Sequence, residues 1–404
     1  MTGCTDALAG IRVLDLAGPA GSYCGKLFAD LGADVILVEP PGGSPDRTAP
    51  PVAEATGESL RFAYENANKR GIELDIELDI DRVADRELLR RLAGTANLLV
   101  ESTTPGDLEA RGLGPDDLRT ANPGLVVTSI TPFGRTGPFA GFAATDLVCL
   151  ALGGLLSLGG YADGPPVRPA GNQALVMANL FAAVASMMAV LHAEHTRAGQ
   201  HVDVSIQECV SMALENAPQF LDLEGVVRGR PDGMQRHAGT GLYACADGYL
   251  YLYVGGIASN RFCARLTAWL QEEGAAGAAE LDAPQWSDRV FLETDVAKET
   301  FAAVFGAFAK PRGRAELYRD AQTRGIPLCP VNTAADVAAS EQLRHREFLR
   351  TTVTAAGLEM LAPGPPYVLG ATPWRQRRPV PRPGQHIKEI RAELDAARPV
   401  GGAA

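Results

Sequence analysis

Asn66, Asn68, Lys69 and Arg70 set two amides beside two cations. Such a group suits a nucleotide's phosphates, because charged N–H donors make strong bonds to anionic oxygen. A solvated basic pair on a surface has the same composition. Upstream, Gly18-Pro19-Ala20-Gly21 interrupts an apolar run. A strand-to-helix turn there could present the N–H groups of Gly18 and Ala20 to an anion. Glycine at such turns also serves sterics alone, and both uses stay open. His192 and His195 are spaced to share a helix face, with His201 close behind. A metal site would need a carboxylate or cysteine aimed with them, and no metal is expected. His201, Asp203 and Ser205 fall in the alternation of a strand, and closeness in sequence does not make a triad.

These side chains sit in an acidic chain. Its 404 residues carry a formal charge of -11, with 46% apolar and 21% charged residues. Phosphate-neutralising surfaces need an excess of Lys and Arg, so nucleic acid is not an expected partner. The composition is that of a folded globular protein, and the length asks for two lobes. The start, Met1 to Asp6, has no basic segment leading into an apolar one, so no secretory signal is expected. Leu175 to Leu191 is the most apolar stretch, yet it holds Asn179 and Ser186. It reads as a buried helix of a soluble protein, with no membrane partner. Seven scattered cysteines without a C-x-x-C pair argue against zinc and against a disulfide scaffold, which points to a reducing cytoplasm.

The elements that must position these groups can be read in order. Gly10 to Leu16 is a buried strand, Ser22 to Leu31 a helix, and Gly32 to Glu39 a second strand stopped by Pro40-Pro41. Strand, helix, strand implies a parallel pair with a crossover. Asn97 to Val100 and Leu125 to Ser129 continue the pattern, with a helix over Arg86 to Leu92. Ile72 to Asp75 and Ile76 to Asp79 form a tandem of period two, a local duplication in a strand or its connection. Later, Gly248 to Val254 is an aromatic and aliphatic strand ended by Gly255-Gly256, and helices follow over Asn260 to Ala279 and Asp295 to Phe308. The expected layout is a large α/β domain over 1–210 and a small α+β domain over 211–330. A segment over 331–404 then returns to the large domain.

Several segments resemble the class III coenzyme A transferases of the CaiB/BaiF type, the family of formyl-CoA transferase, carnitine CoA-transferase and α-methylacyl-CoA racemase. Gly21 to Val35 is similar to the family's first helix and strand. Asn66 to Arg70 matches its N-x-x-K-R element, and Glu101 to Gly106 with Arg111-Gly112-Leu113 its E-N-F-x-P-G and G-L elements. Thr131 to Pro138 resembles S-x-F-G-x-x-G-P, and Gly325 to Asn332 resembles G-I-P-x-x-P-V-N. The resemblance spans nearly the whole chain. It implies a Rossmann-like large domain, an interlocked dimer, and a pocket for CoA or acyl-CoA. The pocket residues it points to are Gly18, Ala20, Asn66, Lys69, Ser102, Thr103 and Arg111. Lys69 would meet the phosphates, while Ser102 and Thr103 stand where the family has Asn and Phe.

In that family an aspartate attacks the acyl-CoA to form an enzyme-bound anhydride. Free CoA thiolate converts it to an aspartyl-CoA thioester, and the acceptor acid runs the sequence in reverse. Asp146 matches an acidic position near the thioester. The aspartate expected further on is Leu175, and no Asp or Glu occurs between Asp163 and Glu194. Racemases place a histidine before the first acid, where this chain has Thr145. Both catalytic sets are incomplete. The resemblance therefore implies the aspartate-lacking subunit of a heteromeric CoA-transferase, partnered by an aspartate-bearing paralogue. A stand-alone acyl-CoA enzyme using Asp146 as acid or base, and a non-catalytic CoA-binding or assembly protein, are the other readings, and homodimer or heteromer stays open.

Overall fold

The computed structural model describes residues 6–76, 83–230, 235–255 and 260–396. The second half of the tandem, Glu77 to Asp79, lies outside them, as does Gly256. Six parallel strands form the main sheet: β1 (Arg12–Leu16), β2 (Asp34–Glu39), β3 (Arg70–Glu73), β4 (Leu98–Glu101), β5 (Val126–Thr131) and β6 (His201–Ser205), in the order 3-2-1-4-5-6. β4 and β5 are buried along their whole length, as strands covered on both faces must be. The reversal of order between β1 and β4 makes this a doubly wound sheet.

Helix α1 (Gly18–Asp30) follows β1 directly, starting earlier than the sequence suggests. Pro19 sits in its first turn, where a missing N–H costs nothing, so the glycine–proline pair opens the helix instead of delaying it. Gly25 lets α1 lie close to the sheet, since a Cβ there would come within 2.2 Å of Asp15 Oδ2. Further helices are α2 (Leu60–Asn66), α3 (Val83–Ala93), α4 (Asp107–Ala110), α5 (Pro115–Ala121), α6 (Asp146–Leu152) and α7 (Gln173–Thr196).

The long helix α7 departs from the expected buried helix. Its inner face carries small residues, Ala174, Ala178, Ala182, Ser186, Ala189 and Ala193, and Ser186 Oγ lies 2.7 Å from Thr128 Oγ1. Its other face exposes Val176, Leu180, Phe181, Val184, Met188 and Leu191. Half of an all-round apolar helix is thus left uncovered by its own unit. Among the described residues it is also the one helix long and apolar enough to cross a membrane by length and composition.

The chain divides into two compact units. One takes the chain through Leu156, then Pro169–Pro218, then Gln342 onward, and the other takes Ser157–Arg168 with Gln219–Glu341. In the second unit an antiparallel sheet joins β7 (Gln235–His237), β8 (Thr240–Cys245), β9 (Gly248–Tyr253) and β10 (Leu328–Pro330) in the order 10-9-8-7. Along β9, Leu250 and Leu252 are buried while Tyr249, Tyr251 and Tyr253 are exposed, the alternation of a half-covered strand. The inner side packs on Trp269, Phe301 and Phe305 from the helices Asn260–Glu272 and Asp295–Ala309.

In the first unit the last stretch of chain adds a hairpin, β11 (Leu349–Val353) with β12 (Glu359–Pro363), and a helix, Ile387–Ala396. That helix buries Ile390 and Leu394 against Leu14, Ile36 and Ile72. Ion pairs fasten it: Arg70 reaches Glu389 at 2.8 Å and Glu393 at 2.6 Å, and Arg12 reaches Glu393 at 2.8 Å. Arg70 and Arg12 both also hold Asp34. Burial pushes the Asp34 carboxyl up, but the two guanidiniums outweigh it and leave it below its ordinary value.

Candidate functional site

Where the strand order reverses, a doubly wound sheet opens a crevice at the carboxyl ends of its strands. In this sheet those ends are Leu16 leading through Ala17 into α1, and Glu101 leading into Ser102 and Thr103. The structure ties the two sides together, for Ser102 Oγ donates to the Ala17 carbonyl. Thr103 is fixed from below. Its N–H and hydroxyl both donate to Glu101 Oε2, at 2.6 and 2.5 Å. Glu101 is fully buried and its other oxygen accepts from Arg135 at 3.0 Å. Arg135 extends the network to Glu109 through its side chain, and to Asp203 through its backbone N–H at 3.0 and 3.2 Å. Gly18 and Ala20, in the first turn of α1, thus lie beside the strand-end loop that carries Ser102 and Thr103. Arg111 closes the short helix α4, its N–H on the Leu108 carbonyl.

Lys69 and Asn66 are engaged within the chain. Lys69 has 0% of its side chain exposed, and so has its partner Asp15, whose Oδ2 lies 2.6 Å from the ammonium. The same ammonium donates to the Ser22 carbonyl and to Asn66 Oδ1, both at 2.8 Å. A lysine ammonium has three N–H bonds, and these three acceptors take all of them. Asn66 completes the set by donating to the Phe62 carbonyl at 3.0 Å. Neither side chain reaches a phosphate as placed. Instead they brace the turn after β1, since Asp15 Oδ1 accepts from Ala17 N at 3.1 Å. The neighbouring Asn68 and Arg70 are equally committed. Asn68 holds Asp30 and the backbone of Arg377, and Arg70 holds the C-terminal helix.

Asp146 and Leu175 come together at the start of α7. Leu175 N donates to Asp146 Oδ1 at 3.2 Å, so the carboxylate meets one of the unpaired N–H groups at a helix N-terminus. Asp146 Oδ2 is buried, with no hydrogen-bond partner among the described residues. The half-buried Leu175 side chain packs on an apolar cluster together with Ala144, Leu155 and Leu156. Asn179, one turn further along α7, is buried and bonds to Ala20, Cys24 and Leu175, which joins this corner to the crevice.

His201 stands apart from the other histidines, with Nε2 at 2.9 Å from Ser129 Oγ. Burial, helped by the Arg135 charge, holds its pKa below the ordinary value. Among the described residues no group of three or more His, Cys, Asp or Glu is arranged to hold a metal ion. The motif reading passed over Asp15, Glu101, Arg135 and Asn179 as functional positions. Glu101 and Arg135 lie inside segments singled out for other residues. Asn179 carried a signal of its own, a lone amide in an Ala-rich apolar helix.

Comparison with known proteins bears on the family and the fold. The model of CoA-transferase family III matches residues 8–387. The chain is 41% identical over 387 residues to the succinyl-CoA:(R)-benzylsuccinate CoA-transferase subunit BbsE of Thauera aromatica, covering 95% of this chain and 93% of that one. It is 31% identical to the succinate–glutarate CoA-transferase of Agrobacterium fabrum, over 96% of both chains. Among solved structures, a CaiB/BaiF family protein from Brucella suis superposes with a TM-score of 0.83 at 28% identity, covering 97% of this chain and 100% of that one.

Proposed function

Because this chain belongs to CoA-transferase family III, we propose that it works on CoA thioesters of carboxylic acids as the subunit of a heteromeric CoA-transferase that lacks the nucleophile. One observation carries the reading. At the position where the family's aspartate is expected, Leu175 packs its side chain into an apolar cluster and spends its N–H on Asp146. Leucine has no lone pair to offer a thioester carbonyl, and covalent catalysis has no substitute for its nucleophile. The aspartate would come from a paralogous partner, while this chain would contribute CoA contacts from Gly18, Ala20, Ser102, Thr103 and Arg111. The relative from Thauera aromatica is itself described as a subunit, which supports the assignment. So does the uncovered face of α7, since large apolar patches on soluble proteins mark association surfaces. An interlocked arrangement of the two chains in the cytoplasm completes the proposal.

A second reading rests on Asp146 Oδ2, a buried carboxylate oxygen with no hydrogen-bond partner among the described residues. It would make Asp146 an acid or base in a stand-alone enzyme. One experiment separates the two. The chain is incubated with succinyl-CoA, alone and with a co-expressed aspartate-bearing paralogue, then treated with hydroxylamine or borohydride and analysed by mass spectrometry. The adduct is expected on the paralogue alone. An adduct on Asp146, Asp163 or another carboxylate of this chain would overturn the proposal.

A further inference from the structure

Ala20 O and Cys24 N are the acceptor and donor that one helical rung of α1 would join. The Asn179 amide meets both: its Oδ1 accepts from Cys24 N at 2.7 Å and its Nδ2 donates to Ala20 O at 2.7 Å. The second N–H of Nδ2 goes to the Leu175 carbonyl at 2.6 Å. The orientation is forced, because a flipped amide would turn its NH2 toward an N–H donor and its oxygen toward two carbonyls. Asn179 is buried, so water cannot stand in for it.

The residues it joins are not equivalent. Ala20 and Cys24 belong to the first half of α1, which opens on the crevice. Leu175 begins α7 beside Asp146. Other side chains already fix the turn before α1, with Asp15 on Ala17 N, Ser102 on Ala17 O and Lys69 on Ser22 O. Each of those lies on β1, on the strand-end loop beside it, or next to β3. Asn179 alone in this group reaches the turn from the helix that carries position 175.

We propose that Asn179 is a positioning residue that couples the ligand-binding turn at the head of α1 to the first turn of α7, and so sets the spacing between bound CoA and position 175. The proposal rests on the reading of this crevice as a CoA site. The amide holds three backbone groups of two helices in one plane-bound set. A shift of α7 at Leu175 is then transmitted to Ala20, and a ligand seated on the turn fixes α7 in return. Truncation removes the amide's contacts with Ala20 O and Cys24 N and so uncouples the head of α1 from α7.

The test uses the full chain, with CoA itself as probe. Asn179→Ala is expected to raise amide exchange at least tenfold in peptides covering Gly18 to Cys24, with exchange unchanged in the helix Asp295–Ala309 of the other unit. CoA affinity by calorimetry is expected to fall at least tenfold. Asn179→Asp adds a readout that a simple packing defect would not give. Protonated, the introduced carboxyl can donate to Ala20 O and accept from Cys24 N; ionised, it faces two carbonyl oxygens. Burial against two carbonyl oxygens should hold the introduced carboxyl's pKa above its ordinary value. The variant's CoA affinity should therefore approach the wild type as pH falls and drop tenfold as pH rises past that pKa. Unchanged exchange in Asn179→Ala, or changed exchange with wild-type CoA affinity in both variants, would overturn the positioning role. A wild-type chain that binds no CoA, with exchange altered as expected, would fail the functional reading and leave the coupling of turn and helix standing.

Discussion

Replacing Lys69 by Met removes an ammonium and leaves Asp15 without a counter-charge at 0% exposure. Breaking one side of a buried pair costs about 3–5 kcal/mol, much of it for the stranded charge. Lys69→Met should therefore lower the stability of the first unit by about that much in urea denaturation, and adding Asp15→Asn should recover part of the loss. A stable single variant with weakened CoA binding would favour a phosphate role for Lys69 instead. His201 gives a second outcome at this scale. Its folded pKa lies below the unfolded 6.5, held down by burial and by Arg135. Below that value the unfolded chain binds more protons than the folded one, so stability is full above it and lost as pH falls. His386, lowered mainly by burial, acts in the same direction. The urea midpoint should drop between about pH 7 and about pH 5, and His201→Gln should flatten part of that drop. An identical drop in the variant would remove His201 from the account. The sequence showed which residue types stood at the site, but not which partners they would find. Lys69 stands in a motif read for phosphate, and only the fold places Asp15, far away in the chain, beside it.

At the scale of elements, the apolar runs that became β1, β2, β4 and β5 were legible because both faces of each are covered. The strand order was not, since β1 lies between β2 and β4 through crossovers that leave no trace in local pattern. Helix α7 shows the limit most plainly. Its composition says apolar on every side, and only the fold divides it into an alanine face on the sheet and a face of larger side chains left open. Val184 and Met188, 60% and 61% exposed, lie on the open face. Surface changes away from special features cost within about 0.5 kcal/mol, so Val184→Lys with Met188→Lys should leave the isolated chain as stable as before. The same pair of changes should abolish co-purification with the paralogous subunit and reduce the mass seen by light scattering. Full assembly by the double variant would show that this face is not where the partner sits.

Across the whole molecule, the two units have separate cores, and this makes the closing stretch of chain testable on its own. The core of the second unit is built from residues between Ala238 and Leu328 alone. The first unit, in contrast, depends on the far end of the chain. Leu394 is buried beside Leu14 and Ile36, on a helix also tied down by Arg12 and Arg70. Truncating a buried leucine costs about 2–5 kcal/mol through lost transfer energy and the cavity left behind. Leu394→Ala should thus lower the melting transition of the first unit while the transition of the second stays in place. Raising the salt concentration should deepen the effect, because Glu393 and Glu389 are partly exposed and their pairs with Arg70 are screened. Calorimetry of the single chain reads both transitions at once. Two transitions that fall together would mean that the units unfold as one cooperative body, and that the return of the chain to its first unit stabilises both.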